Sequence, residues 1–169
     1  MKKIVVIGSG GAGKSTFSRR LGEATGLPVI HLDAHYWRPN WDPTPKDEWR
    51  ASVEEMVKAG EWIMDGNFGS TREVRMQAAD TIIMLDVPRR VCMYRVVKRA
   101  IMYRGKKRPD MAEGCNERID LEFLLWVWNY RSRSRARAFA EIENLSDKRV
   151  VILKNGHEVE RFLEDTEPK

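Results

Sequence analysis

The 169-residue chain reads as an α/β protein in three layers, a five-stranded parallel sheet with helices on both faces. Three observations carry this reading. Short apolar runs of strand character alternate with helical stretches along the whole length; the first run ends in a glycine-rich turn that opens a helix; and no linker, repeat or low-complexity tract divides a chain whose length suits one domain.

The elements follow in order. The first strand spans Lys3 to Gly8 and contains Ile4-Val5-Val6-Ile7, a run apolar enough to be buried on both faces. A helix is expected from Lys14 to Thr25, closed by Gly26 and Pro28. Val29 to Leu32 forms the second strand, ending at Asp33. Between Ala34 and Pro45 stand Pro39, Pro43 and Pro45 with Trp37 and Trp41, so neither a regular helix nor a central strand fits there. The next helix takes Thr44 as its cap and Pro45 at its first position, and runs to Ala59. Strand three is Trp62 to Met64, followed by Asp65-Gly66-Asn67 and a short helix over 71–79. Strand four is Thr81 to Leu85, leading to Asp86-Val87-Pro88, where Asp86 suits a helix cap. Arg89 to Tyr103 reads as helix. Residues 104–116 hold Gly105, Pro109 and Gly114 and read as a lid segment. A long helix over 117–142, a last strand from Arg149 to Leu153, and a closing helix over 157–164 complete the chain.

Residues 8–15, GSGGAGKS, match the pattern G-x-x-x-x-G-K-[ST] in full. The chemistry explains the spacing. Glycines permit the backbone angles and close approach that let successive N–H groups curl around phosphate oxygens. Gly8, Ser9, Gly10, Gly11, Ala12 and Gly13 form this cradle, Lys14 adds a mobile positive charge, Ser15 offers a hydroxyl to Mg²⁺, and Thr16 sits in the first helical turn, whose field favours an anion. The expected cofactors are therefore ATP and Mg²⁺.

In such a sheet, ligands lie beyond the carboxyl ends of the strands. Asp65 is the first choice to hold the metal, with Ser15. Asp33 suits an acceptor-side role, taking a proton from a hydroxyl or fixing a polar group. Arg95 and Arg99, four apart on a helix, share a face and reach toward phosphates. Arg131, Arg133, Arg135 and Arg137 spread around the next helix, so they do not all point at one ligand. Of the six tryptophans, Trp49 and Trp62 read as core, while Trp37 and Trp41 suit stacking on a base or an apolar wall of the acceptor pocket.

Composition narrows the partners. Charged residues make up 33% and hydrophobic ones 42% of the chain, with no apolar run near the ~18 residues of a membrane span and no signal-peptide pattern, so a soluble cytoplasmic protein without a membrane partner is expected. Cys92 and Cys115 have neither disulfide-framework nor zinc spacing and are expected as reduced thiols. The net charge of +5 is uneven: residues 95–137 hold twelve Lys or Arg against five acids, a net +7. That excess fits arginines around a polyphosphate or a nucleic-acid surface; the second is disfavoured because no helix-turn-helix, zinc-finger or single-strand-binding signature accompanies it.

The combination GSGGAGKST at 8–16, HLDAHYW at 31–37, MDGNF at 64–68, ADTIIMLDVP at 79–88, RVVKR at 95–99 and WNYRSRSR at 128–135 resembles the small P-loop kinases related to adenylate kinase, and within them the DNA topology modulation (FlaR-like) proteins. The resemblance implies a P-loop NTPase fold with strand order 2-3-1-4-5, a lid with Arg95, Arg99 and Arg131 in catalytic roles beside Lys14 and Asp33, and adenine near Lys154 and Asn155. It implies an acceptor pocket near Asp33 and Asn67, to which Trp37, beside Asp33, and Arg72, the next arginine after Asn67, are added as candidates. The activity implied is γ-phosphoryl transfer from ATP to a nucleoside, nucleotide or hydroxylated metabolite. Two alternatives are a nucleic-acid-binding ATPase or regulator affecting DNA topology, and a nucleotide sensor without efficient turnover. Adenylate kinases follow their Asp-Gly with an aromatic residue, a proline and an arginine; here Asn67-Phe68-Gly69 stands instead.

Overall fold

A computed structural model describes residues 1–105, 110–117 and 120–166. The carboxyl-terminal edge of one parallel sheet organises them. Strands β1 (Lys3–Gly8), β2 (Val29–His31), β5 (Trp62–Asp65), β6 (Thr81–Leu85) and β7 (Arg149–Leu153) lie in the order β2-β5-β1-β6-β7, which is 2-3-1-4-5 when only this sheet is counted. The fold class and strand order expected from the sequence are those observed. A separate antiparallel pair, β3 (Trp37–Arg38) with β4 (Asp42–Pro43), forms a hairpin outside the sheet.

Alternation along β1 divides the core in two. Ile4 and Val6 face one side with Phe17, Leu21, Leu85, Val96, Val127 and Leu163. Val5 and Ile7 face the other with Trp62, Met64, Met76, Met84, Ala138 and Ile142. Helix α1 (Lys14–Thr25), α5 (Arg89–Met102) and α8 (Gly156–Glu164) supply the first layer; α4 (Arg72–Ala78) and α7 (Ala136–Glu143) supply the second. A third small cluster seats α3 (Lys46–Met56) through Trp49 and Val53 against Leu32. Trp49 and Trp62 are both buried, in line with their periodicity.

The long C-terminal helical stretch departs most from expectation. It comprises α6 (Leu121–Asn129), capped by the Asp120 carboxylate, then a π turn at Arg131–Arg135, then α7. Val127 belongs to the first core layer and Ala138 to the second. The stretch therefore crosses from one face of the sheet to the other. The π turn, closed by the Arg135 N–H on the Tyr130 carbonyl at 2.9 Å, is the kind of local register change found at functional sites. It turns Arg135 onto Asp86, whose two oxygens each accept at 2.8 Å. Asp86 is thus an anchor for the crossing helix and not the cap of α5, whose start at Pro88 has no side-chain cap.

Smaller differences also have physical reasons. The second strand stops at His31, and Leu32–Tyr36 forms a short helix, α2, that places Asp33 in its first turn. Thr44 does not cap α3: its hydroxyl donates to the Tyr36 carbonyl, tying the hairpin base together, and Pro45 takes the cap position. Helix α3 ends at Met56, three residues before Ala59. Of the lid segment, residues 106–109 lie outside the described residues. Among the described residues no helix is long and apolar enough to cross a membrane, and both cysteines are unpaired.

Candidate functional site

The turn after β1 is shaped by three left-handed backbone positions, Gly8 (φ +152°), Gly11 (+76°) and Gly13 (+97°). Space as well as angle requires glycine. A Cβ on Gly11 would stand 2.4 Å from the Cys92 carbonyl oxygen, and one on Gly10 would stand 2.7 Å from the Phe123 ring. The loop is therefore wedged between α5 beneath and α6 above. Helix α1 starts at Gly13 with no capping side chain and no acidic residue in its first turn. Its first amides have no carbonyl four residues back, so their donors and the helix field are left for an anion.

Lys14 bends over this loop, donating to the carbonyls of Gly8 at 3.0 Å and Ser9 at 3.1 Å. Burial lowers its pKa, and the carboxylates of Asp33 and Asp65 oppose that shift. The triad Lys14, Asp33 and Asp65 is thus electrostatically coupled although its members come from three elements.

A cleft of about 1070 Å³ opens from the loop across the carboxyl edge of the sheet. Gly10, Gly11, Gly13, Lys14, Ser15, Thr16, Asp33, Trp37, Asn67, Arg72, Arg95 and Arg99, all singled out from the sequence, line it. Arg95 rests against the loop, its Nη1 3.4 Å from the Ala12 carbonyl oxygen. Arg99 pairs with the buried Glu117 at 3.2 Å, linking α5 to residues 110–117, of which Asp110, Met111 and Glu117 also line the cleft.

Several residues stand differently from the sequence reading. Arg131 is exposed and does not line the cleft; the π turn brings Ser134 and Arg137 to it instead. Lys154 and Asn155 do not line it either. Asn155 caps α8 by accepting from the Glu158 N–H, and Glu158 in turn accepts from the Lys154 N–H, so local capping uses both residues. Asn67 reaches the cleft, but its side-chain amide is engaged with Gly8, accepting from that N–H at 3.2 Å and donating to its carbonyl at 2.6 Å. It stitches the end of β5 to the phosphate loop as one more rung of the sheet. Arg72 lines the cleft with its guanidinium in a forked pair with Glu141, Nε to Oε2 at 2.5 Å and Nη2 to Oε1 at 2.7 Å.

Asp65 is buried and lies one strand from His31, its register partner. Its Oδ1 meets the His31 Nδ1 at 3.0 Å; its Oδ2 is buried without a hydrogen-bond partner among the described residues. That bond raises the histidine pKa, against the effect of burial. His31 itself lines the cleft.

Two features were missed by sequence reasoning. Arg75 is wholly buried and donates to the carbonyls of Gly66, Asn67 and Phe68, fixing the loop after β5. Burial pushes its pKa down to about 9, which leaves it charged at neutral pH. The second is a bridge between the hairpin and residues 114–116: the Asn40 N–H donates to the Gly114 carbonyl at 3.2 Å, the Trp41 Nε1 to the Asn116 carbonyl at 3.0 Å, and the Cys115 thiol to the Arg38 carbonyl at 3.2 Å. These contacts join segments some 75 residues apart, and no local pattern announces them.

No protein-family model and no curated sequence matches the chain. Solved structures do. A sugar kinase from Janibacter, in an unliganded crystal structure, is similar over 98% of this chain and 95% of its own at a TM-score of 0.54 and 21% identity. Shikimate kinase from Acinetobacter baumannii, in complex with shikimate, is similar over 98% of this chain and 90% of its own at a TM-score of 0.61 and 16% identity. At such identities the likeness is one of fold: the chain has the three-layer P-loop architecture also found in shikimate kinase.

Proposed function

We propose that this chain transfers the γ-phosphoryl group of ATP to a hydroxyl of a small acceptor. The observation that carries the reading is the uncapped, acid-free start of α1 behind the glycine turn, opening into the same cleft as Asp33. The fold it shares with a sugar kinase and a shikimate kinase supports it.

ATP with Mg²⁺, when bound, supplies the transferable phosphoryl group and the leaving nucleoside diphosphate. The residues present fit that pair. Loop amides from Gly10 to Ser15 and the Lys14 ammonium would hold the phosphate oxygens and stabilise charge that develops during transfer. Ser15 would meet the metal through its hydroxyl, and Asp65 through the oxygen that has no hydrogen-bond partner among the described residues. Asp33 orients the acceptor hydroxyl and takes its proton as the new O–P bond forms. Arg95 and Arg99 draw around the transferring group; Arg137 takes the place the resemblance gave to Arg131. The segment bridged to the hairpin excludes water. The likeness to topology modulation proteins rests on sequence motifs and describes a cellular effect, leaving the acceptor chemistry to the cleft.

The test is ADP release from ATP and Mg²⁺ against a panel of nucleosides, nucleotides, sugars and polyols, with and without DNA. Stimulation by a small acceptor is expected. Stimulation by DNA alone, or no stimulation at all, overturns the reading.

A further inference from the structure

We propose that Asn67 is a positioning residue for the phosphate loop, its side-chain amide taking the place of a strand peptide beside Gly8, and that Arg75 is the group that makes this exchange possible. The proposal rests on the phosphotransferase reading above and assigns to that site two residues that act through Gly8 and Lys14.

The ladder between β1 and β5 ends in an unusual way. The strands run parallel, with Lys3 to Val6 opposite Trp62 to Asp65, and the Gly66 N–H still donates to the Val6 carbonyl at 3.2 Å. In a regular parallel pair the next bond runs from the Gly8 N–H to the Gly66 carbonyl. That carbonyl instead accepts from Arg75 Nη1 at 3.0 Å, and Arg75 Nη2 holds the Asn67 and Phe68 carbonyls at 3.0 and 3.2 Å. The chain after β5 is thereby drawn away from β1. The Asn67 side chain fills the vacated rung, accepting from the Gly8 N–H and donating to the Gly8 carbonyl at 2.6 Å. A carboxamide carries the same donor and acceptor as a peptide group, so both polar groups of Gly8 stay satisfied although the strand has turned off.

Gly8 matters because of what else its carbonyl holds. The same oxygen accepts from the Lys14 ammonium at 3.0 Å, so Asn67 and Lys14 share it. Gly8 is also pinned from the other side, since a Cβ there would stand 2.6 Å from the Leu85 carbonyl oxygen. Asn67 therefore fixes both the first residue of the glycine turn and the point from which Lys14 moves onto a phosphate. Two donors on one oxygen repel each other through their positive hydrogens, which makes the Lys14 bond easier to give up.

Arg75 is suited to its part. It is wholly buried, and a buried guanidinium is tolerated only when its donors are satisfied. Its rigid planar fork reaches three successive carbonyls, which a lysine ammonium on a flexible stem does not reproduce. Asn67 and Phe68 both line the cleft, so the loop whose shape Arg75 dictates is part of its wall.

The experiment is calorimetric titration of the unmodified protein, Asn67→Leu and Arg75→Lys with two probes in the presence of Mg²⁺: inorganic tripolyphosphate, which tests the cradle without a base, and a non-hydrolysable ATP analogue. Asn67→Leu keeps the shape and removes both bonds to Gly8. It should bind each probe about tenfold more weakly, the scale of one net hydrogen bond, and Arg75→Lys should show a loss of the same order. A role in stability alone would lower the unfolding midpoint and leave the affinity of the folded protein unchanged. In the unmodified protein, hydrogen exchange should find the Gly8 amide protected like that of Ile7; if Asn67→Leu does not fold, this measurement and Arg75→Lys decide the matter. A Gly8 amide that exchanges as freely as an exposed one overturns the proposal, as does an Asn67→Leu protein that binds both probes within about twofold of the unmodified one. In the second case the positioning role fails while the phosphotransferase reading stands. Binding of neither probe by the unmodified protein overturns both.

Discussion

The two ends of the cleft are built by opposite means. At the end that the proposed function gives to the phosphates, eight consecutive residues determine the shape, and what they offer is mostly backbone: three left-handed glycines, an uncapped helix start and a lysine folded onto its own loop. At the acceptor end, the wall is assembled from Asp33, the hairpin, the loop after β5 and residues 114–116, with side chains locking one another across long sequence distances. A backbone-made site tolerates almost no change within its own segment. A side-chain-made site can be rebuilt one contact at a time, which suits one scaffold to different acceptors.

If that contrast is right, the largest effect belongs to the phosphate end. Lys14→Ala should lower the phosphoryl-transfer rate by at least about 10²–10³, the scale for removing one pre-placed charge-stabilising donor. Circular dichroism should find the fold intact, because among the described residues the lysine's hydrogen bonds run to carbonyls of its own loop. A variant that kept full turnover would remove the phosphate end from the chemistry.

Gly11→Ala comes next. Its new Cβ meets the Cys92 carbonyl oxygen at 2.4 Å in a left-handed position, so urea unfolding should report a loss of about 1–3 kcal/mol together with loss of nucleotide-analogue binding. Undiminished stability would mean that the loop is not packed tightly against α5.

Asp86→Asn tests the helix that spans both ends. The forked pair with Arg135 is partly solvent-exposed on the arginine side, so a destabilisation of about 1–2 kcal/mol is expected, with weaker binding at both ends of the cleft. Weakening confined to one end would separate what the crossing helix is here taken to join.

The smallest effect concerns His31. Its pKa is raised in the folded state by the hydrogen bond to Asp65. A raised folded-state value stabilises the protein fully below the unfolded-state value near 6.5, and this contribution fades as pH rises through the folded-state value. Thermal unfolding with metal chelated should therefore lose some stability on going from pH 6 toward 8, and His31→Gln should flatten that slope. A slope of the opposite sign would exclude the charged pair.

Legibility in the sequence follows the same division. The glycine turn after β1, all five strands of the sheet and the core roles of Trp49 and Trp62 were readable because each depends on contiguous spacing or periodicity. Arg95 and Arg99 were readable as a shared helix face. The π turn was not, since it replaces one helical register by another without a proline or glycine to mark it, and it exchanges Arg131 for Arg137 in the cleft. The capping role of Asn155 was not legible beside its expected place near adenine, because a capping side chain and a ligand contact have the same local composition. Asp33 lines the cleft as its place after a strand suggested, yet its position in a short helix follows from tertiary packing of Leu32, which no single-residue propensity encodes.

The most direct measurement is a crystal structure of the protein with a non-hydrolysable ATP analogue and Mg²⁺. The phosphates should lie on the amides of residues 10–15, with the Lys14 ammonium turned from the Gly8 and Ser9 carbonyls onto a phosphate oxygen. An analogue bound elsewhere, or a Lys14 still held on those two carbonyls beside it, would contradict the claim that this turn is a phosphate cradle.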